Sequence, residues 1–246
     1  MDRLIYTAMT GAKHALEQQA TTAHNLANAT TDGFRAQINL FRAVHVQGEG
    51  APTRAFVVDS TVGSDFRPGA IQQTGRDLDV AVQGAGWIAV QAADGGEAYT
   101  RSGSLQINEN GLLQTRAGLN VVGDGGTISI PPGRAVPIAK DGTLPRVREG
   151  SQPSGVTAVG RIKLVNPAEA DLVRGADGLF RLKGGADAPA DPAVSLVGGA
   201  VESSNVNVVS EMVNMITQAR QFDLHMKMLQ NAENNDAKAG QLLSLG

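Results

Sequence analysis

The sequence predicts an α+β fold: paired helices at the N- and C-terminal ends, resembling a coiled coil, and a mostly β middle. Three observations carry this expectation. All ten prolines lie between Pro52 and Pro192, and 26 of the 30 glycines fall in residues 41–204, so the strongest helix breakers avoid the ends. All six methionines (Met1, Met9, Met212, Met215, Met226 and Met228) lie in the ends. Turn dipeptides recur at short intervals through the middle. The composition divides the chain into a terminal-helix domain, residues 1–35 and 203–246, and a β-rich domain, residues 36–202.

The first helix is expected from about Asp2 to Asn28. One row holds Leu4, Ala8, Ala12 or Gly11, Ala15, Gln19, Ala23 and Leu26, and a second holds Ile5, Met9, Leu16, Ala20 and Ala27. Together they make a stripe at helical period, with residues small enough for a neighbouring helix to approach closely. Asp32-Gly33 reads as the turn that follows. The last helix should begin near Asn205 to Asn207, where Ser203, Ser204, Asn205 and Asn207 offer capping side chains. Its apolar row is Val209, Met212, Ile216, Ala219, Phe222, Met226, Leu229 and Ala232, a spacing close to the 3.5-residue period of a coiled-coil seam. Gln218 falls outside this row and reads as outward. Asn234-Asn235-Asp236 should weaken the helix, and Leu242, Leu243 and Leu245 can resume it.

In the middle, Leu78–Val82 alternates as strands do, and Trp87–Gln91 follows as a strand after Gly84 and Gly86. Asp94-Gly95-Gly96 is a hairpin turn leading into Ala98–Arg101. Turns are expected at Asn110-Gly111, Gly125-Gly126, Asp141-Gly142 and Asp177-Gly178. Strands are expected at Thr127–Ile130, Val159–Val165 and Gly178–Leu182, and residues 184–192 read as a flexible loop.

Composition excludes several classes of function. The 246 residues carry 21 Lys plus Arg and 24 Asp plus Glu, a formal net charge of −3. Such a balance lacks the basic face a nucleic-acid binder needs. The absence of cysteine removes disulfide scaffolds, thiol catalysis and cysteine metal sites. No apolar run is long enough for a membrane span, and Met1-Asp2-Arg3-Leu4-Ile5-Tyr6 does not read as a secretory signal. The histidines, His14, His24, His45 and His225, are scattered and read as helix-surface residues. Asp77 and Asp79 share a strand face, yet read better as carboxylates holding turns. Gly84-Ala85-Gly86 has neither the fingerprint nor the following helix of a phosphate loop. Trp87, the single tryptophan, reads as core. No catalytic, cofactor or metal site emerges. What remains is two apolar-striped ends that suit pairing with each other and with other subunits.

At this point several motifs, in order, resemble one family. Asn25-Leu26-Ala27-Asn28-Ala29-Thr30-Thr31-Asp32-Gly33-Phe34 is similar to the N-terminal signature of bacterial flagellar rod and hook proteins. The series continues with Pro68-Gly69, Thr74-Gly75, Leu78-Asp79-Val80-Ala81-Val82, Gly84-Ala85-Gly86-Trp87, Tyr99-Thr100-Arg101-Ser102-Gly103 and Asn110-Gly111-Leu112. It ends with Glu202-Ser203-Ser204-Asn205-Val206-Asn207. The opening residues and modest length look most like a proximal-rod member, with a distal-rod member or a secreted β-domain binding module as alternatives.

The resemblance implies a helical inner domain, an outer β domain, no catalysis and no cofactor. It implies a rod subunit that leaves the cytoplasm through the flagellar type III export apparatus. Such a subunit assembles with itself and with proximal and distal rod subunits into a tubular shaft crossing the periplasm, which transmits torque from motor to hook. Neither nucleic acid nor membrane insertion is implied. The assembly interface is expected at Leu4, Ile5, Met9, Leu16, Ala23 and Leu26 of the first helix and Met212, Ile216, Ala219, Phe222, Met226 and Leu229 of the last. The helical ends are expected to be loose in the isolated subunit and to order on assembly.

Overall fold

The structure is a computed structural model and describes residues 2–45, 55–130, 137–146 and 157–243. The chain divides into two compact units. The first unit comprises residues 1–29, 36–65 and 206–246; the second comprises 30–35 and 66–205. The sequence places residues 36–202 in the β-rich domain. In the structure, residues 36–65 belong with the terminal helices.

The first unit holds α1 (Asp2–Ala27), a hairpin of β1 (Gln37–His45) and β2 (Ala55–Ser64), and α2 (Val208–Leu243). At 1.5 Å per residue, the 26 residues of α1 and the 36 of α2 span about 39 Å and about 54 Å. Asn207 caps α2, its Oδ1 accepting the Ser210 amide at 3.0 Å. The helix continues unbroken through Asn234-Asn235-Asp236, where sequence reading expected weakness. Leu245 lies outside the described residues. The hairpin is not legible in the sequence: Ile38 and Leu40 alternate with Gln37 and Asn39, yet the polar pair faces α1 and the apolar residues are exposed.

Among the described residues, the regular elements of the second unit are strands and one short helical turn. Its elements are β3 (Ile71–Gln73), β4 (Val80–Gln83), β5 (Trp87–Gln91), β6 (Glu97–Thr100), β7 (Leu105–Ile107), β8 (Leu113–Thr115), β9 (Val122–Gly123), β10 (Gly126–Thr127), β11 (Thr143–Arg146), β12 (Thr157–Arg161), β13 (Leu164–Val165), β14 (Leu172–Arg174), β15 (Phe180–Leu182), β16 (Ser195–Gly198) and β17 (Ala200–Glu202). One antiparallel sheet runs in the order β13-β5-β6-β15-β14. Two-stranded pairs, including β3 with β17 and β4 with β16, complete the unit. The strand expected over Val159–Val165 is divided into β12 and β13, which pair with different partners.

β5 carries apolar residues on both of its faces. Ile88 and Val90 enter one core cluster with Val80, Leu105, Leu113 and Leu196. Trp87 and Ala89 enter a second cluster with Tyr99, Val165, Leu172 and Phe180. Both faces of this strand are therefore covered. Within the second cluster Trp87 packs on Phe180 with ring centroids 4.7 Å apart and meets Phe66 edge-on at 6.0 Å.

Tyr99 is buried among these residues. Its hydroxyl donates to Glu97 Oε1 at 3.0 Å and accepts the Ala188 amide at 2.7 Å. Lys163 Nζ holds the same carboxylate at 2.7 Å. Burial first, then the bond to Glu97, push the phenol from 10.0 up to about 12, against the pull of the Ala188 amide. The native state thus favours the protonated phenol. That stabilisation is complete below pH 10 and is lost as pH rises toward 12. A shift of this size is worth on the order of 2–3 kcal/mol. Denaturant unfolding followed from pH 9 to 12 should show stability falling across that window, and Tyr99→Phe should flatten this part of the profile.

Candidate functional site

In the first unit α1 and α2 form an antiparallel pair. Asn25 reaches Glu211, Thr22 reaches Gln218, and Gly11 lies under His225, so the numbering runs in opposite directions along the two helices. The α1 seam is Ile5, Ala8, Ala12, Ala15, Gln19, Thr22 and Leu26. The α2 seam is Glu211, Met215, Gln218, Phe222, His225, Leu229 and Ala232. All are buried or half-buried, and both sets step by threes and fours as heptads do. Alanines at the centre of α1 let the helices come close. Gln218 therefore faces inward, not outward as the sequence suggested, and its Nε2 donates to Thr22 Oγ1 at 3.1 Å.

The hairpin docks on another side of α1. Asn25 mimics a strand partner for Gln37: its Oδ1 accepts the Gln37 amide at 2.8 Å and its Nδ2 donates to the Gln37 carbonyl at 3.0 Å. Thr21 Oγ1 donates to Asn39 Oδ1 at 2.9 Å, and His14 meets Phe41 edge-on at 5.5 Å. The first asparagine of the motif thus joins helix to hairpin. Asn28 closes α1, its Nδ2 donating to the His24 carbonyl at 2.9 Å.

Pairing leaves apolar faces open. On α1, Met9, Leu16, Ala20, Ala23 and Ala27 are exposed along one flank. On α2, Val209, Met212, Val213 and Ile216 are exposed on the side away from the seam, Ile216 by 55%. The residues expected at the interface therefore separate into two groups. Ile5, Leu26, Ala219, Phe222 and Leu229 are half-buried, whereas Met9, Leu16, Ala23, Met212, Ile216 and Met226 are exposed. Leu4 lies in α1, and its side chain lies outside the described residues.

Two of the remaining motif residues, Arg101 and Trp87, meet Glu202 and Arg35 in one buried ion cluster in the second unit. Glu202 Oε2 accepts from Arg101 Nη1 at 3.0 Å, and Oε1 accepts the Gly69 amide at 2.8 Å. Arg35 Nη2 lies 2.7 Å from Oε1 as an ion pair. All three charged side chains are at most 5% exposed. Two guanidiniums share one carboxylate, and the Trp87 ring takes up part of the excess charge, its centroid 5.3 Å from Arg101 Cζ and 5.8 Å from Arg35 Cζ. Burial lowers the Arg101 pKa, with Glu202 opposing.

The chain enters and leaves this unit beside that cluster. The Gly33 amide donates to the Glu202 carbonyl at 2.7 Å, the Asn205 amide to the Phe34 carbonyl at 3.3 Å, and Asn205 Nδ2 to the Arg67 carbonyl at 2.9 Å. Gly33 has φ 68°, and a side chain there would run into the Arg101–Ser102 peptide. Arg174 donates to the Arg35 carbonyl at 2.7 Å and covers the Phe34 ring at 4.6 Å.

Other motif residues hold turns. Asp79 is buried and accepts from Thr74 Oγ1 at 2.7 Å and Ser104 Oγ at 3.4 Å, whereas Asp77 is exposed. Burial, then the nearby Asp79, push the Asp32 carboxyl above its usual range, with Arg116 opposing. Thr100 Oγ1 accepts the Ser102 amide at 3.1 Å. Gly103 lies against the Val80 carbonyl and Gly86 against Val194, leaving no room for a Cβ at either. The Ser204 carbonyl accepts from Ser203 Oγ at 3.4 Å. Arg35 is not singled out by the sequence, and Glu202 reads there only as part of the C-terminal motif, because their pairing spans 167 positions and has no local signature. Among the described residues no group of His, Asp and Glu is placed to hold a metal ion, and no helix is long and apolar enough to cross a membrane.

Comparison with known proteins matches these segments one by one. Residues 5–35 match the family described as "Flagella basal body rod protein", and residues 81–145 match "Flagellar hook protein FlgE/F/G D1 domain". Residues 197–242 match "Flagellar basal body rod FlgEFG protein C-terminal". The flagellar basal-body rod protein FlgF of Escherichia coli (strain K12) is 47% identical over 251 residues, covering 100% of both chains. The chain belongs to the FlgF family of flagellar basal-body rod proteins. FlgF of Caulobacter vibrioides is 33% identical over 239 residues, 94% of each chain. FlgG of Agrobacterium fabrum is 31% identical over 258 residues, 94% of this chain and 95% of that one.

The cluster sets a clear expectation for stability. Glu202→Gln leaves two buried guanidiniums without a counter-charge, a loss of about 3–5 kcal/mol. The midpoint of denaturant unfolding of the second unit should fall accordingly, while Gln72→Glu on the exposed strand β3 should leave it unchanged.

Proposed function

We propose that this chain is a proximal-rod subunit that builds a helical, tubular drive shaft through the open faces of α1 and α2. Membership of the FlgF family makes it a structural subunit of the bacterial flagellar rod, located in the basal body, and not an enzyme. The observation that carries the finer reading is the pair of open stripes. Both chain ends are already joined in one helical unit, and each helix still exposes a row of apolar residues. A row opposite the seam cannot be covered by the same partner. It suits contact with a neighbouring copy or another rod subunit, and contacts of this heterologous kind extend into helices instead of closing. In this reading the flagellar export apparatus carries the chain to the growing rod, which crosses the periplasm and passes torque to the hook.

Ile216→Asp tests the reading. Ile216 is exposed in the single chain, so the substitution should leave the melting temperature of the isolated protein unchanged. Within an assembly it buries an unpaired charge at every repeated contact, at a cost of about 3–5 kcal/mol each. Cells carrying it should export the subunit, fail to complete rods and be non-motile, with the protein recovered from the periplasmic fraction. Gln221→Asp, exposed on α2 outside that row, should be mild. Normal motility with Ile216→Asp would take the stripe out of the assembly.

A further inference from the structure

We propose that His225 seated on Gly11 is the pin that fixes the register of the antiparallel helix pair. Gly11 is the single glycine in α1, in a helix interior where glycine is disfavoured. The His225 ring occupies the space a side chain would need: a Cβ on Gly11 would lie 2.7 Å from Nε2 and 2.8 Å from Nδ1. Every other position of α1 carries a Cβ, so the ring has one seat.

Elsewhere in the seam the hydrogen bonds Asn25–Glu211 and Thr22–Gln218 favour the same register, whereas the apolar line discriminates poorly. A slip of one heptad replaces Met215, Phe222 and Leu229 by one another against a row of similar small residues, Ala8, Ala12 and Ala15. The same slip would bring the imidazole against Leu4 or Gln18, both of which bear side chains where glycine leaves room. The pin also carries a visible cost. His225 Nδ1 and Gln218 Oε1 are buried without a hydrogen-bond partner. Polar groups at seam positions trade stability for a single register.

The consequence for assembly rests on the reading above. A slip of one heptad slides α2 along α1 by about 10 Å, and the Val209–Ile216 stripe moves by the same amount relative to Met9 and Leu16. His225 and Gly11 are then positioning residues for a surface they do not touch.

The register can be read in the isolated full-length protein, independently of any rod. The chain has no cysteine, so Lys13→Cys and Gln230→Cys, both at exposed positions, can carry spin labels for pulsed dipolar distance measurement. The parent should give one narrow distance. Adding Gly11→Ala should lower the melting temperature by several degrees, although alanine is the better helix former. Adding His225→Ala to Gly11→Ala should recover the melting temperature and yield a second distance population, displaced as the helices slide by about one heptad. A melting temperature raised by Gly11→Ala, as propensity alone dictates, would overturn the proposal. So would a double variant that keeps the single narrow distance. Neither readout depends on motility, so a failure of the rod reading would appear only with Ile216→Asp and a failure of the pin only in these distances.

Discussion

The second unit depends on one carboxylate. Glu202 receives Arg35, Arg101 and the Gly69 amide on its side chain, and its carbonyl receives the Gly33 amide. Four stretches of chain, distant in sequence, are thereby held at one point. The glycines at two of them follow from the crowding: a Cβ at Gly33 would strike the Arg101 backbone, and one at Gly69 would strike the Ser203 carbonyl. A buried pair of this kind contributes little net energy compared with an apolar replacement. What it enforces is that the segments around residues 33 and 204 lie side by side wherever the second unit is folded.

The first unit follows a different rule. Its seam has an apolar line on α2, Met215, Phe222 and Leu229, and a mixed line of Glu211, Gln218, His225 and Ala232. Each polar member of the mixed line is matched by a specific feature of α1: Asn25, Thr22 and Gly11. The greasier residues at the start of α2, Val209, Met212, Val213 and Ile216, are left outside. The helix thus uses its more discriminating face within the chain and keeps its more adhesive face open.

This arrangement explains which features could be read from sequence. Both helices were visible because heptad rows and the exclusion of proline are local. The Asn110-Gly111 and Asp141-Gly142 turns were visible because both glycines need positive φ. The phase of the seam was not. α2 carries apolar residues on two faces, and a row of steps of three and four can be drawn through either. The features of α1 that meet it, Asn25, Thr22 and Gly11, are what match the inward face. The ion cluster was invisible for a related reason: Arg35, Arg101 and Glu202 stand far apart along the chain, and although Arg101 and Glu202 fall within motifs, nothing local pairs them. The motif residues around them were conspicuous, yet their shared purpose was not.

The path of the chain also sets an order of events. The first unit is discontinuous: α1 has its helical partner 181 positions further on, counting from Ala27 to Val208. A chain released from its N-terminal end presents α1 first and α2 last. The second unit, complete by residue 205, can fold while α1 still has only the hairpin beside it. Closing the long loop between the helices is slow for a free chain, because its entropy must be spent before the seam gives anything back. Once the second unit has folded, residues 33–35 and 202–205 are already neighbours, and the effective loop shrinks to a few residues on each side. A completed β unit thus leaves the helical pair only a short loop to close.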